Sequence, residues 1–252
     1  MGKGFLFAFL TMFICMLLSI VPEWIVSADW GEYRPDALRL VVGSIFFGGV
    51  MLILPFCATL PHAIGQVDEV QSSFLYWRAL RGSLRRIAGH KILSTALSGG
   101  LCVMLAFVVN VLVWNLIATP IDPITYPQHE QGFSKGVLYS EWYGVMYGAP
   151  MYASMSIGIF LCGSLWAVVG LAVAGWLPDK LLVMTIPVGI YFLWLYNLPR
   201  WLFGVSIPSP SALYNDGLTA EVLISALCST GISFAAAVVT YYIGLKRRVQ
   251  HG

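Results

Sequence analysis

Charge is scarce in this chain. Asp, Glu, Lys and Arg together make up 10% of its 252 residues, whereas an ordinary soluble domain carries about 25%. The usual signatures of catalysis are missing as well. The four histidines stand at 62, 90, 129 and 251, and none belongs to an HExxH pattern. There is no GxSxG turn, and no apolar segment holds a pair of carboxylates, so hydrolytic and metal-dependent chemistry have no candidate constellation. A phosphate-cradling GxxxxGK[ST] loop is also lacking, which excludes ATP hydrolysis by that route within the chain. The five cysteines are odd in number, form no CxxC or Cys/His cluster and lie within apolar runs. They read as small buried hydrophobes rather than as a disulfide frame or a metal site.

Apolar sequence fills the space that charge vacates. Hydrophobic residues reach 58% and the mean hydropathy is +0.79. About 20 consecutive apolar residues cross a hydrocarbon core about 30 Å thick, and such runs recur along the chain. The expected fold is an all-α integral membrane protein, one domain over residues 1–252, with six spans near 5–21, 39–61, 91–118, 149–177, 181–198 and 221–245. The second span has stop signals at Pro55 and Pro61. The first resembles a signal peptide in composition but lacks an A-x-A-type cleavage site, so it reads as a retained span, with a cleaved leader as the alternative.

Orientation follows from the basic residues. With a cytoplasmic N terminus, six spans place Lys3, Arg78, Arg81, Arg85, Arg86, Lys91, Lys180, Lys246, Arg247 and Arg248 inside. Arg34, Arg39, Lys135 and Arg200 remain outside with most carboxylates. This positive-inside pattern predicts a multi-pass plasma-membrane protein with both termini cytoplasmic. Trp24, Trp30, Tyr33, Tyr139, Trp142, Trp194 and Trp201 flank the spans, as interfacial anchors do. Proton- or sodium-coupled carriers need ionisable groups at membrane depth. Here the spans offer only Asn110, Asn115, Asn197 and hydroxyl residues. Energy for uphill movement would have to enter through another protein.

The stretch FLYWRALRGSLRRIAGHK, residues 74–91, is the chemically distinct element. Phe74, Trp77, Leu80, Leu84 and Ile87 recur at helical spacing, with Arg78, Arg81 and Arg85 on an adjacent face. Asp68 and Glu69 precede it, where negative charge suits a helix N terminus. One reading is a basic amphipathic helix resting on anionic headgroups. The other is a docking element for a soluble partner.

The order of these features resembles the membrane subunit of ABC exporters of the ABC-2 type. Glu69, the segment 73–78, Arg85 and Lys91 occupy places matching that family's acidic residue, coupling helix, arginine-rich run and lysine at the third span. The family's glycine after the acidic residue is replaced by Gln71, Ser72 and Ser73. GSLWAVVGLAVAG (163–175) resembles its fourth span, with glycines at 163, 170 and 175. PRWLFGVSIPSPSALYND (199–216) resembles its outer re-entrant segment between spans five and six.

That resemblance implies a permease subunit powered by a separate ABC ATPase, which would hold the ATP and Mg²⁺. No cofactor, metal or nucleic acid is expected for this chain. A second permease subunit, the same or different, would complete the path, and membrane lipids surround it. Glu69, Phe74, Leu75, Tyr76, Trp77 and Arg78 would dock the ATPase. Arg81, Arg85, Arg86 and Lys91 would serve docking or lipid anchoring, and Asp179 with Lys180 a secondary contact. The cargo would be hydrophobic or amphipathic: a peptide, a drug or a lipid. The alternative is a membrane scaffold or sensor subunit that docks a cytoplasmic partner without transport.

Overall fold

In a computed structural model the described residues are 2–29, 37–46, 50–72, 83–118, 149–195, 212–213 and 220–251. They are helical, with no strand among them. The helices are α1 (Gly2–Asp29), α2 (Ala37–Phe46), α3 (Val50–Thr59), α4 (Ala63–Gln71), α5 (Leu84–Ile117), α6 (Ala149–Trp176), α7 (Lys180–Leu195) and α8 (Ala220–His251). Five helical runs are long and apolar enough to cross a membrane: Lys3–Pro22, Val50–Gln71, α5, α6 and Glu221–Gln250. α7 is apolar but has only 16 residues, about 24 Å at 1.5 Å per residue.

The expected second span is more divided than its sequence implied. It is described as α2 and α3, with residues 47–49 between them outside the described set. Pro55 does not end α3; it is buried inside the helix, as prolines within membrane helices are when neighbouring groups satisfy the freed backbone. The chain turns at residues 60–62, around the other stop signal, Pro61, and resumes as α4.

α6 is the hub. It packs against α3, α4, α5, α7 and α8, and 72% of its apolar window is buried inside the molecule, against 22% for α1 and α8. Lipid tails are as apolar as leucine, so close helix approach rather than hydrophobic expulsion must hold such helices together. The α5–α6 crossing shows how. A Cβ on Gly100 would lie 2.7 Å from the Phe160 carbonyl oxygen, and Gly163 sits against Gly99, Gly100 and Val103. The glycines at 170 and 175 pack against Thr59 and Tyr241. Of the three small residues foreseen on α6, Gly163 thus meets a glycine pair on α5, while the other two admit larger side chains from α3 and α8. Edge-on contact of Trp166 with Tyr191, 5.4 Å between centroids, ties α6 to α7.

The outward faces carry large apolar side chains. Leu93, Leu97, Leu101 and Leu105 form an exposed row along α5, and Phe7, Leu10, Ile14 and Leu18 another along α1. In water such rows would be aggregation sites; facing lipid they are ordinary. The protein is a multi-pass membrane protein by this surface and by its five long helices.

Candidate functional site

The helix ends that carry the basic residues meet at one end of the bundle. Glu69, in the last turn of α4, forms an ion pair with Lys91 of α5 that is largely shielded from solvent. Asp68, one residue earlier, pairs with Lys180 of α7 at 2.7 Å, with both side chains about half exposed. The Gln71 amide donates to the Pro178 carbonyl oxygen across 2.8 Å. Three segments distant in sequence are therefore tied together: the end of α4, the start of α5 and the turn between α6 and α7.

The acidic pair stands in the last turn of α4, and the helix start expected after it, in 74–82, lies outside the described residues. Negative charge at a helix C terminus opposes the macrodipole. Lys91 and Lys180 supply the compensating positive charge. Asp179 has a local role: its Oδ1 accepts from the backbone N–H groups of Leu181 and Leu182 at 2.8 and 3.1 Å. This is an N-cap for α7.

Arg85 and Arg86 occupy the first turn of α5 and are exposed. Positive charge at a helix N terminus is unfavourable for the helix itself, so these two side chains gain nothing from the helix they start. Phe74, Leu75, Tyr76, Trp77, Arg78 and Arg81 lie outside the described residues. What the structure does place are the stems of that stretch: Ser72 on one side and Ser83 on the other.

The C-terminal helix joins the same end, through contacts the sequence reading missed. Arg248 donates from Nε to the Gly175 carbonyl at 2.7 Å and from Nη2 to the Trp176 carbonyl at 2.6 Å. The Arg247 guanidinium carbon sits 5.7 Å from the centre of the Trp176 ring. α6 has no basic residue in its own last turn, leaving its final carbonyls to be satisfied from elsewhere. That lack was the available signal. At the other terminus a Cβ on Gly4 would lie 3.1 Å from the Leu60 carbonyl oxygen, so α1 begins beside the α3–α4 turn.

The proposed outer segment is described at one point. Leu213 is buried, and its carbonyl lies against Gly158 of α6. Gly158 is about 13 Å along α6 from Ala149. The remainder of 199–216, apart from Ala212, is outside the described residues. No group of three or more His, Cys, Asp and Glu positioned to hold a metal ion occurs among the described residues.

Compared with known proteins, the chain matches no family model, no curated protein and no solved structure.

Proposed function

We propose that the chain is the membrane-spanning subunit of an ATP-driven exporter of the ABC-2 type, with 74–78 as the segment that docks a separate ATPase. The observation that carries this reading is the Glu69–Lys91 ion pair. It clamps the two stems of the basic stretch, while Gln71 ties the first stem to the α6–α7 turn. A docking element on a loose tether would absorb a partner's motion. One braced at both stems passes it into α3, α4, α5 and α7 together.

Arg85 and Arg86 add to this. Their charge is poorly placed for the helix they start and well placed to meet anionic groups outside it, whether a partner's carboxylates or lipid headgroups. Asp, Glu, Lys, Arg and His are confined to the ends of the apolar helices, leaving 5–22, 92–117, 149–176, 181–195 and 222–245 without any, which agrees with energy arriving from another chain. Cargo with apolar and amphipathic character suits such a path: hydrophobic peptides, drugs or lipids. The orientation proposed is the charged end in the cytoplasm of a plasma membrane, with a second permease subunit completing the path.

The experiment is purification of the tagged protein from its native cells in mild detergent, with co-eluting chains identified by mass spectrometry and ATP hydrolysis measured. A stoichiometric ATPase is expected, and Trp77→Ala with Arg78→Ala should abolish its coupling to transport while membrane levels stay normal. A stoichiometric partner without nucleotide-binding motifs would instead assign the stretch to a scaffold or sensor. Unchanged binding and transport in the double variant would remove the docking role.

A further inference from the structure

α7 and α8 both pack on α6 without extensive contact between themselves. The space between them is a groove of about 410 Å³, with Trp166 and Val173 on its floor, Ile186 and Ile190 on one wall and Ala236 and Thr240 on the other. We propose that this groove holds one acyl chain of an anionic phospholipid, with its phosphate against Arg247. The inference rests on these helices lying in a membrane and not on the exporter reading.

Length selects the occupant. Along α6 the groove runs from Leu165 to Trp176, about 16 Å at 1.5 Å per residue. That is about half of a 30 Å hydrocarbon core, the depth of one leaflet. A partner's spanning helix would need a seat along the whole core. Its lining is apolar but for Ser233, Thr240 and the indoles of Trp166, Trp176 and Trp194, and two of these groups are engaged: the Ser233 hydroxyl donates to the Ser229 carbonyl at 2.7 Å, and the Trp176 indole N–H to the Thr240 carbonyl at 3.0 Å. The groove therefore suits hydrocarbon.

Charge selects the headgroup. On α8, Ser233, Ala236, Ala237 and Thr240 face the groove, and continuing at spacings of three and four leads to Gly244 and Arg247. Gly244 lets Trp176 close on α8, since a Cβ there would lie 2.9 Å from the indole nitrogen. Arg247 then stands over the ring at the groove's mouth, exposed. Arg248, by bonding the Gly175 and Trp176 carbonyls, covers the negative end of α6 that would otherwise repel a phosphate.

The test uses the full-length protein, delipidated in mild detergent and offered equal amounts of phosphatidylglycerol and phosphatidylcholine, with retained lipid counted by native mass spectrometry. One phosphatidylglycerol per chain is expected, favoured by about fivefold, the effect of one basic side chain near an anionic group. Arg247→Gln should bring that preference to parity, and Ala236→Phe should expel either lipid; Lys3→Gln, the same loss of charge elsewhere, should leave both results unchanged. Equal retention of the two lipids by the unaltered protein, or a preference that survives Arg247→Gln, overturns the proposal. So does a lipid-free dimer that Ala236→Phe dissociates, which would give the groove to a second copy. If Ala236→Phe fails to fold, the surface change at Arg247 still decides.

Discussion

Among single residues, Asn110 is the most exacting. It is fully buried in α5, and its amide donates to the Ser44 hydroxyl of α2 at 2.7 Å. Ser44 in turn donates to the Val41 carbonyl at 2.7 Å, and its own carbonyl accepts from Ser19 of α1 at 3.0 Å. Three helices are thereby pinned at one level by polar contacts that lipid cannot replace. Side-chain hydrogen bonds within membranes contribute about 0.6 kcal/mol on average and up to about 2. Asn110→Ala should therefore lower the unfolding free energy by about 1 kcal/mol, read from the unfolding midpoint in detergent. Ser44→Ala should cost less, because the Asn110 amide then loses one neutral acceptor while the Val41 carbonyl stays within its helix. The double variant should fall short of the sum, and full additivity would mean that the two side chains do not interact. Asn110 was visible in the sequence as a rare amide in an apolar run. Its partner was not, since nothing in one chain's spacing says which of many serines lies opposite.

Among elements, the α5–α6 crossing sets the packing of the whole bundle, and its glycines differ in what surrounds them. Gly100 has the Phe160 carbonyl oxygen 2.7 Å from where a Cβ would stand, whereas Gly89, on the same helix, has nothing within 4 Å. Gly100→Leu should force the helices apart and destabilise by about 1–3 kcal/mol, seen as a lower melting temperature and a lower yield of monodisperse protein. Gly89→Ala should be neutral or stabilise by up to about 1 kcal/mol through helix propensity. Equal effects at both positions would show that α5 does not cross α6 here. The sequence carried this level well. Long uncharged runs marked α1, α5, α6 and α8 because burial in lipid forbids charge along the whole length. It misled where local signals compete. Of the two stop signals in the second span, Pro55 lies within α3 while Pro61 stands in the turn that follows it. Burial of Pro55 among its neighbours outweighs its local preference.

At the scale of the molecule, the first and last described helices have their outer ends on the same side of the bundle. α1 starts beside the α3–α4 turn, and α8 ends on the terminal carbonyls of α6, close to the start of α7. Both termini thus belong to the charged end. The six crossings expected from the sequence need one helix beyond the five long ones among the described residues. α7, which leaves the charged end before α8 returns to it, is the helix that the expected topology assigns to this crossing, with 16 described residues. The topology expected from the positive-inside rule puts this Lys- and Arg-rich end in the cytoplasm. Alkaline phosphatase, active only outside the cytoplasm, separates the cases. Fused after Trp201 or within 119–135 it should be active, and fused after Gly252 inactive. Activity at Gly252 would invert or break the topology. Inactivity at Trp201 would leave α7 as a cytoplasmic or half-buried helix, and would force the return of α8 to start from the side where it ends.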